Sequence, residues 1–347
     1  MVKIGINGFG RLGRLFLRIA LDQCGKGAVG ADFPVVTIVN DPNLNSESMA
    51  ALLQKDTYRG TFKKEVIDMD NCIMIEGNRV EAVKVRDISK VPWHKSCPID
   101  YIVDTTGKNK NCAQASKFLQ EKIKCVVVSG LGDIPVFAVG VNHTCYKPAM
   151  KIVSVGTPTL NCLAPILRVL HENFTIEKAM ATSLHPLKNH NKFLDDSCPS
   201  ANLREGRSAL GNFFPCTSAA PGRYVSRIMP ELEGRTDSNA IKVPTVCVGA
   251  VDLTAVLCKE VSHEIVTVKL KEAADCYMRN VMKYSTDELV SSDIIGDPHS
   301  CVIDSKACMG LAKNVVKIFA WYDAEYAFAH RLYDMVKYIA SREICTK

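Results

Sequence analysis

The segment Ser154-Val155-Gly156-Thr157-Pro158-Thr159 leads into an apolar run whose spacing predicts a helix over 159–172, after a strand at Lys151–Ser154. Thr157 suits the cap, and Pro158 stands at the head of the helix. The first turn of a helix presents free N–H groups and partial positive charge, which stabilise a thiolate or an oxyanion. A nucleophilic cysteine belongs in such a place. Pro158 fits the backbone there, because its φ is preset and the N–H it lacks had no helical partner, but it has no atom that can attack a carbonyl. Cys162 follows one helical turn deeper, about 6 Å along the axis at 1.5 Å per residue, too far to replace a nucleophile at 158. It reads as a small buried hydrophobe.

A second chemical motif lies at the N-terminus. A strand at Lys3–Asn7 runs into Gly8-Phe9-Gly10-Arg11-Leu12-Gly13 and then into a helical pattern at Leu15–Leu21. Strand, glycine turn and helix form a dinucleotide cradle: Gly8 makes the turn, Gly10 lets the backbone approach a pyrophosphate, and Gly13 lets the helix pack on the strand. A strand at Pro34–Val39 ends in Asn40-Asp41, and a carboxylate there can bind ribose hydroxyls. Asp41 lies 28 residues after Gly13, and a glycine-containing insertion at 25–32 accounts for the extra length over the usual spacing of about 20. An acidic residue here suits NAD better than NADP. The plainer alternative is a glycine turn kept for packing. Strands at Tyr101–Asp104 and Cys125–Ser129 end at Thr105-Thr106-Gly107 and Gly130, further edges on the cofactor side. Alternation of strands and helices implies a mostly parallel sheet.

The 347 residues, 47% of them hydrophobic, suffice for two cores. The sequence shows no leader-like segment and no apolar stretch of about 18 residues, so neither secretion nor a membrane partner is expected. Fifteen cysteines without a Cys-x-x-Cys pair fit reduced thiols in the cytoplasm better than a disulfide framework or a metal site. A formal charge of +6, spread along the chain, gives no reason to expect nucleic acid, though small anionic ligands fit it. From about Lys178 the pattern changes. Runs at Ala240–Cys258 and Ile265–Leu270 suggest a large, mainly antiparallel sheet flanked by helices. A helix at Lys313–Ile318 is expected to lead into Trp321-Tyr322-Asp323-Ala324-Glu325, and an amphipathic helix at Phe328–Ala340 to pack back on the first domain. The fold class is therefore α/β: a Rossmann dinucleotide-binding domain over 1–156 and 320–347, and an α+β catalytic-type domain over 157–319.

Ordered motifs along the chain resemble the glyceraldehyde-3-phosphate dehydrogenase family: INGFGRLGR at 4–14, NDP at 40–42, VGVNH at 139–143, NCLAP at 161–165, REGRSAL at 204–210, PELEGR at 230–235, KVPT at 242–245, VDLT at 251–254, VSSD at 290–293 and WYDAE at 321–325. The resemblance implies a cytosolic homotetramer that binds NAD and oxidises an aldehyde through a thioester, which phosphate then cleaves. Arg11, Leu12, Asp41, Arg86 and Ser129 match the family's contacts to phosphate, ribose and adenine. Ala324 stands where the family has an asparagine that orients the nicotinamide, which implies a weaker grip on that ring. Pro158 takes the place of the nucleophilic cysteine, so no thioester forms there. His185 matches the general base; without a thiol to activate, it reads equally as a satisfied histidine lining a pocket. At the substrate-phosphate positions Lys188 replaces a threonine, Lys242 an arginine, and Ser218-Ala219 a Thr-Gly pair, while Arg204 and Thr159 still match and Thr157 adjoins them. Lysine keeps the charge but loses the bidentate fork, so these positions read as a small phosphorylated-ligand site or as a solvated basic patch. His190 and Cys198 follow in the loop after His185, without a placed role.

Three functions compete. The first is a pseudoenzyme that binds NAD without phosphorylating dehydrogenase activity. The second is a working enzyme, either the glycolytic dehydrogenase itself or an aldehyde dehydrogenase with chemistry moved to Cys162 or His185. The third is a structural or regulatory subunit, in a homotetramer or mixed with an active relative.

Overall fold

The computed structural model describes residues 2–24, 34–95, 97–120, 122–197, 203–216 and 221–344. The chain falls into two compact units. The first holds residues 1–139, 143–156 and 329–347, and the second holds 140–142 and 157–328. Residues 320–328, expected with the first domain, thus lie with the second, because Trp321-Tyr322-Asp323 completes a strand inside the second sheet.

In the first unit, β1 (Val2–Asn7) leads to α1 (Arg11–Cys24), β2 (Pro34–Asn40) and α2 (Ser46–Gln54). A small hairpin, β3 (Lys55–Asp56) and β4 (Gly60–Thr61), is followed by β5 (Val66–Asp68), β6 (Cys72–Ile75), β7 (Asn78–Val83), β8 (Tyr101–Asp104), α3 (Cys112–Ala115), β9 (Cys125–Val128) and β10 (Ile152–Ser154). The eight-stranded sheet runs β10-β9-β8-β1-β2-β7-β6-β5. Pairs from β10 to β7 are parallel, and β7, β6 and β5 add an antiparallel edge. Four apolar residues, Cys125–Val128, are buried on both faces, as a central parallel strand requires.

The second unit contains α4 (Pro158–Phe174), β11 (Ile176–His185), β12 (Phe214–Pro215), β13 (Thr236–Lys242), β14 (Val248–Leu257), α5 (His263–Asp275), β15 (Met282–Ser285), β16 (Cys301–Asp304), β17 (Met309–Leu311) and β18 (Val315–Asp323). Its sheet runs β12-β13-β11-β14-β18-β16-β15, with β17 on the side of β18. It is mixed: β11–β13 and β15–β16 are parallel and the other pairs antiparallel. Helix α4 is buried nearly all round, from Leu160 to Leu170, because it packs against this sheet and α5.

Two expected elements change type. Lys313–Ile318 is not a helix. Val315–Asp323 alternates between buried and half-buried positions with period two and is β-branched at its start, which suits a strand inside a sheet. Ile265–Leu270 is not sheet but the middle of α5, whose buried residues Val266, Leu270, Ala273 and Ala274 follow helical spacing. The run 240–258 divides into the ends of β13 and all of β14. The last helix, α6 (Tyr326–Ile344), is longer at both ends than expected. Its C-terminal part belongs to the first unit, where Tyr333 meets Phe16 with ring centroids 6.0 Å apart and Glu343 accepts a 2.7 Å hydrogen bond from Tyr101 Oη.

Candidate functional site

The carboxyl ends of β1, β2 and β8 are tied side by side. Asn40 Nδ2 donates to Asn7 Oδ1 at 2.9 Å, and Asn7 Nδ2 donates to Asp104 Oδ1 at 2.8 Å, all three residues being buried. Thr106 and Asn109 add hydrogen bonds to the same carboxylate. Burial, opposed by these donors, raises the Asp104 pKa above the ordinary carboxylate value. On this platform sits the glycine turn. Gly8 has φ +93°, a region that suits a residue without Cβ. A Cβ on Gly13 would lie 2.1 Å from Gly8 O, whereas one on Gly10 would meet nothing within 4 Å. Packing therefore requires Gly13, while Gly10 leaves open space at the head of α1, where an anion is favoured. The packing-only alternative accounts for Gly13 and leaves Gly10 without a reason.

Asp41 Oδ2 accepts from Phe9 N at 2.9 Å, and Oδ1 accepts from Asn43 N at 2.9 Å, so the carboxylate sits against the glycine turn. Arg86, exposed, reaches Asn43 Oδ1 at 3.4 Å on the same edge. Arg11 pairs with Asp56 at 3.2 Å and lies over the Tyr58 ring at 5.5 Å, so its side chain faces the hairpin. Its contribution to a phosphate, like that of the neighbouring Leu12, would come from the backbone N–H. Ser129, buried, gives both N and Oγ to Asp104 O at 2.9 Å. These residues fit a dinucleotide: an open glycine face, an anion-favouring helix end and a carboxylate held against the turn.

In the second unit, Thr157 caps α4 by accepting from Leu160 N at 3.3 Å, and Pro158 is the first helical residue. Thr159 Oγ1 lies 2.8 Å from Tyr322 Oη and 3.5 Å from His185 Nε2. His185 Nε2 is 2.8 Å from Ser183 Oγ, which donates its single proton to Asn239 O at 3.0 Å. The network therefore assigns the proton of this imidazole edge to Nε2, which donates to Ser183. Burial, with Lys242 and Lys188 nearby, pushes the His185 pKa down to about 3. The residue is a neutral, hydrogen-bonded histidine.

Lys242 ends β13 in register with His185 at the end of β11, and its Nζ donates to Pro186 O at 3.0 Å. Lys188 is exposed and within electrostatic reach of both, while Arg204 is exposed on the short 203–206 turn. The structure thus groups Thr159, His185, Lys188 and Lys242. Ser218, Ala219 and Cys198 lie outside the described residues. Cys162 is fully buried, and burial raises its pKa well above the ordinary thiol value. Ala324 donates its N–H to Cys247 O at 2.7 Å and presents only a methyl group as side chain. Ser183, which contacts His185, carried no functional signal in the sequence, and Tyr322, which contacts Thr159, stood there only as part of the motif at 321–325; the period-two placement of Ser183 two residues before His185 on one face of a strand is the cue that could have found it.

A Rossmann-type unit followed by a unit with a large mixed sheet defines a two-domain α/β architecture with a dinucleotide-binding type of first domain. Residues 2–112 match the family model "Glyceraldehyde 3-phosphate dehydrogenase, NAD binding domain", and residues 158–324 match "Glyceraldehyde 3-phosphate dehydrogenase, C-terminal domain". The chain is 39% identical to glyceraldehyde-3-phosphate dehydrogenase 1 of Saccharomyces cerevisiae, over 98% of this chain and 99% of that protein. It is 38% identical to the glyceraldehyde-3-phosphate dehydrogenase of Glossina morsitans morsitans, over 99% and 100%, and 37% identical to glyceraldehyde-3-phosphate dehydrogenase 2 of Drosophila melanogaster, over 99% and 100%. The chain belongs to the glyceraldehyde-3-phosphate dehydrogenase family. Among the described residues, no helix is long and apolar enough to cross a membrane.

Proposed function

We propose that this chain is an NAD-binding member of its family that does not carry out phosphorylating aldehyde oxidation and acts as a structural or regulatory subunit in the cytoplasm. Pro158 at the head of α4 carries this reading. Bound NAD would supply a hydride acceptor, but the route to it in this family requires a side chain that first joins the aldehyde carbon, and position 158 offers no such atom. His185 keeps the position of the family's base but has no thiol to activate at 158. Ala324 removes a side-chain amide from the nicotinamide side and weakens the hold on that ring. Phosphorylated small molecules remain candidate ligands for Lys188, Arg204 and Lys242.

The reading includes assembly into tetramers, of this chain alone or mixed with an active relative. Exposed apolar residues on the second unit support it: Met180, Phe193, Leu194, Leu203, Leu210 and Phe213 are each more than half exposed. Native mass spectrometry alone, and after mixing with an active family member, distinguishes the two assemblies; a monomer in both cases rejects the subunit role.

The test of the chemistry is direct. Purified protein with glyceraldehyde 3-phosphate, NAD and phosphate is expected to show no turnover, and a rate above about 1 per second, within the ordinary enzyme range, rejects the proposal. The competing reading, relocated chemistry at Cys162, is opposed by that thiol's full burial and raised pKa. Rapid iodoacetamide modification of Cys162 in the folded protein would restore it.

A further inference from the structure

We propose that Lys108 and Lys110 make the nicotinamide half of the dinucleotide crevice cationic, so that the chain binds NADH in preference to NAD. The preference presupposes that the first unit binds the cofactor, as proposed above. Strand order reverses between β1 and β8: β2 and β7 lie on one side, and β8, β9 and β10 on the other. Asp41, just past the end of β2, assigns the adenosine half of a dinucleotide to the first side, which leaves the nicotinamide half to the loops after β8 and β9. Both lysines belong to the first of those loops.

This loop is fastened to the glycine turn. Thr105 Oγ1 donates to Gly8 O at 2.7 Å, and a Cβ on Gly8 would lie 2.8 Å from the Thr106 methyl. Asn109 Nδ2 donates to Asp104 Oδ2 at 3.2 Å and Lys108 N to Thr106 Oγ1 at 3.2 Å, which holds the backbone in place with both lysines exposed. Lys110 reaches the second loop. A Cβ on Gly130 would stand 3.3 Å from its Cε and 3.4 Å from its Cγ, and one on Gly132 would collide with Lys110 O at 1.7 Å. The two glycines thus make a bed for this residue, whose stem runs over the chain just past β9 while its charge stays in water.

Neither charge is paired. Among the described residues no carboxylate lies within ion-pair distance of Lys108 or Lys110. Asp104 is fully buried, with its oxygens accepting from Asn7, Thr106 and Asn109, and Asp133 accepts at Oδ1 from Cys112 N at 2.7 Å. NAD and NADH share one pyrophosphate and differ in the ring, which is a cation when oxidised and neutral when reduced. Two unpaired ammonium groups on the ring side therefore oppose NAD and spare NADH, whereas the same groups facing the phosphates would favour both alike. With no nucleophile at 158 to interconvert the two forms, occupancy follows their ratio, which suits a regulatory subunit.

Calorimetry on the full-length protein at low ionic strength, with ADP-ribose, NAD and NADH as separate ligands, tests the proposal. The parent is expected to bind NADH about tenfold more tightly than NAD, and the double variant Lys108→Met with Lys110→Met to bring the two within about twofold. Because the pyrophosphate is common to both ligands, the ratio of their Kd values isolates the ring. Lys108→Arg with Lys110→Arg should keep the preference, since charge and not shape produces it, and added salt should shrink it. A parent that favours NAD, a ratio unmoved in the methionine variant, or a preference lost in the arginine variant overturns the proposal, and binding of ADP-ribose in the same experiments leaves the cofactor reading standing. If none of the three ligands binds, the cofactor reading falls and the proposal with it.

Discussion

The two units each place the head of a helix after a strand and a small-residue turn, and they use it in opposite ways. At α1, Gly10 leaves space free and the backbone N–H groups can meet an anion. At α4, Thr157 takes up Leu160 N, a proline ring fills the first position, and the remaining hydroxyl, Thr159, is held by Tyr322. The comparison teaches that a helix end serves as a ligand cradle where the backbone leaves space in front of it, and that catalysis there needs a reactive side chain as well. The same local fold supports a ligand cradle in one unit and a closed cap in the other.

The largest effect that separates the two is steric. Gly13→Ala is expected to destabilise the protein by about 3 kcal/mol or more, read by urea denaturation, since its methyl would overlap Gly8 O at 2.1 Å. Gly10→Ala sharpens the contrast: stability should change by less than about 0.5 kcal/mol, because nothing lies near its Cβ, while NAD affinity measured by calorimetry falls about a hundredfold. If Gly10→Ala binds NAD as the parent does, the open face has been misread.

The acid limb of stability tests the α4 side. The folded His185 pKa, about 3, lies below its unfolded value of 6.5, so the unfolded chain binds more protons between these limits. This contribution is fully present above about pH 6.5 and is lost as pH falls toward 3, at up to about 1.4 kcal/mol per pH unit. In His185→Gln the slope of urea-denaturation stability between pH 6 and 4 should flatten; an unchanged slope refutes the buried neutral imidazole. The smallest effect concerns the cap itself. Pro158→Cys should alter stability by less than about 1 kcal/mol, because the first helical position needs no N–H. Recovery of turnover in that variant, alone or with Ala324→Asn, shows how much of the remaining site is still arranged for catalysis.

The strand–glycine–helix unit, the strand that ends just before Asp41 and the helix at 158 were legible in the sequence because each is local: the signal lies within a few residues, with backbone geometry that few residue types satisfy. The misread elements were Lys313–Ile318 and Ile265–Leu270, short apolar runs in which periods of 2 and 3.6 are hard to tell apart. Their type is set by what lies alongside: β14, with which Val315–Asp323 pairs, and the core against which α5 lays Val266 and Leu270. The same holds within the site. His185 could be placed on a strand, but its neutral state depends on Ser183, itself tied to Asn239, and on Lys242 from a strand more than fifty residues later. Such long-range pairings leave no trace in spacing.

The return of α6 to the first unit bears on how the protein is made. Tyr101 bonds to Glu343, Lys124 lies 3.8 Å from the same carboxylate, and Phe16 packs on Tyr333. The first unit therefore lacks part of its own interior until residues 329–344 have left the ribosome, while the second unit is complete by residue 328. During synthesis the later-encoded unit can close before the earlier one, reversing the usual order in which domains mature along a chain.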